Sequence, residues 1–365
     1  MKTILPNPKH LFWRAICSAV ALLAGPCQTV AAVLSPEKVI AGWRAAGGQP
    51  LVGQILRTSD GRTMDGAAVA ASATKGNPVV EALGLAQAKF VLLGEVHDNP
   101  EHHLLRAGLI DELTEPGMFG RNAHPPIVTE HIRAEQVGGL EAFRKLVATS
   151  ADPPVASDLF KLIDWDKSGW PAARLFQPLY DAMIAARLRI VAGDGSRERI
   201  RAVARGGAGV MTPHEKERYK LAEPLPQALH EALVAELKGS HCGMLPDSAI
   251  PGMSLAQRYR DAHLADALLA EGQILGPAVL LAGNGHVRTD RGVPWHVRAR
   301  APGASIVSVM LIEVEDGKSD PMAYVPRAPD GKPAADYVIF TPRAVRDDPC
   351  LKMRAQMQPT GPRKE

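Results

Sequence analysis

The chain has 365 residues, 46% hydrophobic and 22% charged, enough for one large α/β domain or two small ones. Its 5% aromatic content excludes an aromatic-rich nucleic-acid surface. The formal charge of +3 belongs to the N-terminal segment: without Lys2, Lys9 and Arg14, 39 of the 42 basic residues remain against 39 acidic ones, which gives no electrostatic reason to expect nucleic acid or an anionic membrane as partner.

Residues 1–32 read as a secretory signal peptide. Three basic side chains precede an apolar stretch at 15–25, and the small residues Val30, Ala31 and Ala32 follow as a cleavage site. The stretch is too short to span a bilayer. The expected product is periplasmic. Cys27 offers a lipoprotein alternative, with membrane contact through the lipid, but Pro26 directly before it spoils that pattern. Cleavage leaves two cysteines, Cys242 and Cys350. In an oxidising compartment they form either a disulfide or two separate buried thiols. A bridge would close a loop of about 108 residues, worth on the order of 4–5 kcal/mol in the chain-entropy picture.

Residues 33–87 alternate small apolar stretches with Gly, Ser and Asn, which predicts an irregular lead-in with a short helix or hairpin. Residues 89–94 form the first strand. Asn99 then caps a helix that begins at Pro100 and ends before Pro116 and Gly117. A second apolar run at 126–129 leads into Glu130 and His131, and a helix is expected over 135–147. Residues 152–169 hold Pro153, Pro154 and several acids, the composition of a loop or lid. A helix over 171–187 presents Ala172, Leu175, Phe176, Leu179 and Met183 on one side. Residues 189–193 are a third strand.

Residues 214–238 are a charged helical stretch interrupted by Pro224 and Pro226, and 254–271 are a second long helix. Strands follow at 277–283, 305–313 and 336–341. The tail from 351 to 365 is polar and expected to be flexible. Strands alternating with helices predict an α/β fold: a mostly parallel sheet flanked by helices, with a helical cap or subdomain inserted at about 196–272.

Two distant segments share one plan. VLLGEVHDN at 91–99 and AVLLAGNGHVR at 278–288 are each an apolar run that ends on glycine, with metal-capable side chains just beyond. Ligands of open α/β sheets sit beyond the carboxyl ends of the strands. Glu95, His97 and His286 are therefore expected to meet, and Glu130 follows its own strand in the same manner. Two carboxylates and two imidazoles suit a divalent cation with mixed ligands, or acid–base chemistry; a hydrogen-bonded polar core is the alternative. His102, His103 and Arg106 lie on the first turns of the next helix, where they line the same pocket or face solvent. Arg288 and Arg291 suit an anionic group. The chain has no GxGxxG after a strand, no GxxxxGK[ST], no HExxH, no GxSxG and no CxxCH.

LLGEVHDN at 92–99, SGWP at 168–171, AQRYRDAHLADA at 256–267 and LLAGNGHVRTDRGVP at 280–294 resemble the ChaN family of haem-binding, iron-regulated bacterial proteins in the Tiki-like superfamily. The resemblance runs from about residue 88 to 350. It implies an α/β fold, export, haem as cofactor and a haem-binding homodimer. It also implies a tyrosine ligand to iron, where this chain has Phe176; Tyr180 lies one turn later, and Tyr259 with His263 forms another candidate pair. Arg288 is then a candidate for a haem carboxylate. Superfamily relatives that hydrolyse their substrates imply a second role for Glu95, His97, Glu130 and His286, as the catalytic or metal-binding set of a metal-dependent hydrolase.

Overall fold

The computed structural model describes residues 33–71, 77–115, 118, 124–221 and 223–357. The expected leader, with Cys27, lies outside them. In chain order the first half holds α1 (Pro36–Ala45), β1 (Gln54–Arg57), β2 (Arg62–Asp65), α2 (Gly66–Ala71), α3 (Pro78–Ala82), β3 (Phe90–Leu93), α4 (Pro100–Leu113) and β4 (Ile127–Arg133). Then come α5 (Val137–Thr149), α6 (Ala156–Leu162), α7 (Ala173–Ala185), β5 (Ile190–Asp194), α8 (Arg197–Gly206) and α9 (Pro213–Tyr219). The chain continues through α10 (Gln227–Ser240), α11 (Ile250–Leu275), β6 (Ala278–Leu281) and α12 (Val293–Arg300). It closes with β7 (Ile306–Glu313), β8 (Tyr337–Thr341) and α13 (Pro349–Met357).

The strands form one sheet in the order β2-β1-β8-β7-β3-β6-β4-β5. Every pairing from β8 to β5 is parallel, and β1 is antiparallel to both its neighbours. Strands β3 and β6 are buried at every residue, which requires cover on both faces and explains their uninterrupted apolar runs. One helical group packs α4 against α1 and α7. The other packs α11 against α8, α10 and α12 and over β4 to β6. The α4 start follows the expected chemistry, because the Asn99 side chain accepts from the Glu101 N–H at 2.9 Å and Pro100 opens the helix.

Between residues 197 and 275, α8 to α11 build two small apolar cores of their own, one around Val203, Tyr219 and Tyr259, the other around Leu225, Leu233 and Leu237. These helices occupy the stretch where the sequence predicts a helical cap, and α11 among them also covers β4 to β6. The Cys242–Cys350 disulfide forms and ties α13 to the turn after α10. Among the described residues, no helix is long and apolar enough to cross a membrane.

Three segments depart from expectation. The lead-in supplies both a helix and a hairpin, and the β1–β2 hairpin is part of the main sheet. Residues 152–169 are no loose excursion. They contain α6, and Phe160 and Trp165 pack on Tyr180 with ring centroids 5.1 and 5.8 Å away. Pro153 and Pro154 hide that apolar content from a reading by composition. Residues 349–357 are a helix rather than frayed tail, because the disulfide at Cys350 holds them to the body; residues 358–365 lie outside the described residues.

Candidate functional site

Leu93, Leu281 and Thr129 stand side by side on β3, β6 and β4. The residues just past them are therefore neighbours, although they are up to about 190 positions apart in sequence. Glycine is required where two of these segments touch: a Cβ at Gly283 would lie 2.8 Å from the His97 ring, and one at Gly94 would lie 2.2 Å from the Asn284 side chain. Successive residues of β4 then face opposite ways. His131 turns toward α4 and α7, and Glu130 turns toward α11.

On the His131 side, one carboxylate gathers a set of nitrogens. Glu95 Oε1 accepts from His97 Nδ1 and His131 Nε2, both at 2.7 Å, and Oε2 pairs with the Arg106 guanidinium. His131 Nδ1 faces the Thr129 hydroxyl at 2.8 Å, which in turn meets the Tyr180 hydroxyl at 3.3 Å. His103 donates from Nε2 to the His97 carbonyl at 3.0 Å. Its Nδ1 is thereby the bare nitrogen and accepts from Arg106 at 3.2 Å, so its equal distance to Glu95 is a close approach and not a hydrogen bond. Burial holds the imidazoles neutral: it drives His103 down to about 4, and burial together with the Arg106 charge drives His131 far below its ordinary value. Burial also lowers Arg106, to about 9, so it keeps its charge at neutral pH.

On the Glu130 side the balance reverses. His286 stands between two carboxylates, with Nδ1 2.6 Å from Asp261 and Nε2 3.2 Å from Glu130. Burial works against its charge, yet Glu130 and Asp261 outweigh it and raise the imidazole to about 10. Glu130 is likewise opposed by burial and held well below its ordinary value by His286, His97 and Arg260. Arg260 bonds to Glu130 at 2.6 Å and Asp194 at 2.8 Å, and the Gly283 N–H donates to Glu130 at 2.7 Å. Glu130, Asp194 and Asp261 are thus offset by His286, Arg260 and Arg133, the last 3.9 Å from Asp194.

His97 lies between the two networks. Its Nδ1 is held by Glu95, and its Nε2 is 3.9 Å from Glu130. Its side chain is 36% exposed, whereas Glu95, Glu130, His131 and His286 are all buried. Trp170 packs on it with centroids 4.8 Å apart. A carboxylate that orients the far nitrogen of a half-exposed imidazole is the arrangement of a general base.

The structure brings Glu95, His97, Glu130 and His286 together as the sequence leads one to expect. Their ligating capacity is unequal. Among the described residues, ligand atoms spaced for one metal ion come from Glu95, His97 and His131, within 4.8 Å of one another. Glu130 and His286 are outside that group, because their polar atoms are committed to each other and to Arg260, Asp261 and Gly283. The trio is itself constrained: two ring protons point at Glu95 and a guanidinium shares its carboxylate, so a cation bound through those same nitrogens would have to displace both protons beside a positive charge.

The other predicted residues lie elsewhere. Tyr180 is fully buried beneath His131, with its hydroxyl on Thr129, and burial raises its pKa. The Tyr259 hydroxyl donates to Glu215 at 2.8 Å, and His263 Nδ1 bonds to the Gly193 carbonyl at 2.9 Å. Arg288 is clamped by Asp290 at 2.7 Å, and Arg291 pairs with Glu236. His102 turns away from the site: it accepts from the Val96 N–H at 2.8 Å and faces the Thr341 hydroxyl at 2.8 Å. The pair that reaches Glu95 is His103 with Arg106, at i,i+3 spacing. Phe176 is packed against His103 and His131, with centroids 4.1 and 4.8 Å away. Sequence reasoning missed His131, Asp194, Arg260 and Asp261 as site residues. His131 stands beside Glu130 in the sequence, and Arg260 and Asp261 lie one α11 turn apart from Gln257, so spacing alone contained a signal.

A cavity of about 650 Å³ opens above the Glu130 network, between α8, α10, α11 and the turn at Ser168 and Gly169. Arg133, Arg197, Arg201 and Arg260 line it, and Ile200, Leu233, Leu237 and Met253 supply apolar wall. Its size falls within the roughly 300–1,000 Å³ usual for small-molecule and cofactor sites. A larger groove of about 950 Å³ lies between Leu229, Trp295 and Pro333, but no histidine, tyrosine or cysteine lines it. A third cavity, beside Tyr219 and His296, is about 180 Å³.

Residues 82–297 match the family model described as haem-binding uptake, Tiki superfamily, ChaN. Among solved structures, the chain is similar to ChaN of Campylobacter jejuni, described as binding haem cofacially, with 20% identity, 78% of this chain and 95% of that chain covered, and a TM-score of 0.55; at that identity the likeness speaks for the fold. It is also similar to an erythromycin esterase mutant, EreC, in its open conformation, at 14% identity over 74% of this chain and 95% of the other, with a TM-score of 0.39, too low to carry an argument. No curated protein matches the chain.

Proposed function

Because this chain belongs to the ChaN family of haem-binding uptake proteins in the Tiki superfamily, we propose that it is an exported haem-binding protein serving haem or iron handling, with the 650 Å³ cavity as its haem site. The observation that carries this reading is the lining of the cavity. Haem is a flat apolar ring with two carboxylates at one edge. Leucine, isoleucine and methionine side chains from α8, α10 and α11 suit the ring, and the arginines suit the carboxylates. Arg133 and Arg260 are already held by Asp194, so Arg201, and Arg197, whose guanidinium bonds to the Lys167 and Ser168 carbonyls and to no carboxylate, are the cations with most to offer a ligand. When bound, haem supplies iron-centred ligand and electron chemistry; the protein's part is to bind, orient and exclude water. A periplasmic location is consistent with the disulfide, which oxidising compartments favour.

Titration of the purified protein with hemin is expected to give a saturable Soret shift, and its end point per chain reports whether a homodimer shares the ligand. Arg197→Ala with Arg201→Ala is expected to weaken binding by about tenfold, since a half-buried and an exposed charge together contribute about 1 kcal/mol or slightly more. Absence of any saturable shift overturns the proposal.

A second reading, hydrolysis, is favoured by the Glu95–His97 pair and its metal-compatible neighbour His131. In this reading His97, oriented by Glu95 at Nδ1, takes the proton from an attacking water at Nε2; a divalent cation held by Glu95, His97 and His131 would take up that lone pair and supply the water activation itself. The reading fails if Glu95→Ala and His97→Ala leave metal content and every esterase and peptidase activity unchanged.

A further inference from the structure

We infer that His241 is the residue that ligates haem iron in this cavity, an inference that rests on the haem-binding reading above. His241 follows the last residue of α10 and lines the cavity. Its Nδ1 donates to the Leu237 carbonyl at 2.8 Å, and Ser240 Oγ lies 3.2 Å from the same nitrogen. That bond fixes the tautomer. Nδ1 carries the proton, and Nε2 keeps its lone pair with no partner among the described residues. A metal-bound histidine characteristically has this wiring: one ring N–H on a backbone carbonyl sets the orientation and raises the basicity of the other nitrogen.

The backbone holds the imidazole in place. The chain reverses just beyond it through Cys242 and Gly243, at φ of 57° and 69°, and the Gly243 N–H closes the helix end on the Lys238 carbonyl at 2.8 Å. Cys242 is covalently tied to Cys350, so the turn that carries His241 is pinned to α13. The donor is therefore pre-oriented, and binding need not order it.

The remaining candidates compete poorly. Tyr180, Tyr259 and His263 do not line the cavity; the two tyrosine hydroxyls are engaged with Thr129 and Glu215, and His263, although its Nδ1 is likewise on a backbone carbonyl, has no place in the cavity wall. His97 and His286 belong to the networks below. Glu236 lines the cavity but is paired with Arg291. Met253 is the other iron-capable donor in the wall, and a thioether is a weak ligand to ferric iron without an imidazole partner.

The test is a hemin titration of the full chain, wild type beside His241→Ala, followed by absorbance and by addition of free imidazole. Saturable binding by the wild type with an imidazole-type ferric spectrum is expected. His241→Ala is expected to keep saturable binding, weakened about tenfold or more, with a displaced Soret band that free imidazole returns to the wild-type position. His230→Ala, an exposed histidine on the same helix, is expected to leave the spectrum unchanged. A His241→Ala spectrum identical to wild type overturns the inference and leaves haem binding standing, as does a loss of binding that imidazole does not reverse. If the wild type fails to saturate, the haem-binding reading itself falls.

Discussion

Glu95 and Glu130 end up on opposite sides of the same sheet's carboxyl edge, both buried, and their surroundings differ in sign. Glu95 collects neutral imidazoles and one guanidinium. Glu130 collects an imidazolium and a guanidinium, with two further carboxylates behind them. Burial alone drives every one of these histidines toward the neutral form. What separates His131 from His286 is the count of carboxylates in contact: His131 shares one, already neutralised by Arg106, and His286 touches two, Asp261 and a Glu130 that it shares with Arg260. The lesson is that a buried histidine's charge is decided by the charge left over after its neighbours have paired.

The strongest way to break that comparison is Glu95→Ala. It leaves Arg106 buried without a counter-ion, and removal of one partner from a buried pair costs about 3–5 kcal/mol. Urea denaturation should show that loss directly. Arg106→Met should cost less, because Glu95 can then draw a proton onto His131. NMR of the imidazole nitrogens should show His131 becoming charged, which would turn the Glu95 network into a likeness of the Glu130 one. If His131 stays neutral in that variant, the pairing argument is wrong.

The two networks should also fail at opposite ends of the pH scale. His286 is raised from 6.5 to about 10 by its carboxylates, so its stabilisation is complete below pH 6.5 and is lost as the pH climbs toward 10. The loss should be on the order of a few kcal/mol, and Asp261→Asn should reduce it. His102 and His103 are lowered to about 3 and 4, so their contribution is complete above 6.5 and withdraws as the pH falls toward those values. Stability measured by urea at closely spaced pH values should therefore decline on both flanks. A profile flat from pH 7 to 10 would contradict the imidazolium assignment. The smallest effect is expected from Trp170→Phe, which keeps a ring against His97 and weakens the cation–π contact with Arg133, 5.3 Å from the indole, for a loss of under about 1 kcal/mol.

Much of this is legible in the amino-acid sequence. The uninterrupted apolar runs at 90–93 and 278–281 announced buried parallel strands, and the glycine and polar residues after them announced a shared edge. The alternation of strands and helices announced the layering, and Cys242 with Cys350 announced a disulfide as one of two expectations, the one that forms. Residues of the second rank were harder to read. Arg260 and Asp261 look like ordinary charges on a long helix until β5 and β6 place Asp194 and His286 against them. His131 was masked by Glu130 beside it, because one-residue steps on a strand change face. The arginines and His241 around the cavity come from α8 and α10, whose positions depend on tertiary packing that no local pattern encodes.

The antiparallel β1–β2 hairpin has a practical meaning. It lies along β8, which would otherwise present a bare row of backbone donors and acceptors to any passing chain. A shortened version that begins at the GEVHDN stretch, or anywhere after residue 57, would uncover that ladder and invite self-association into aggregates. Soluble material for biophysics should therefore start upstream of Gln54.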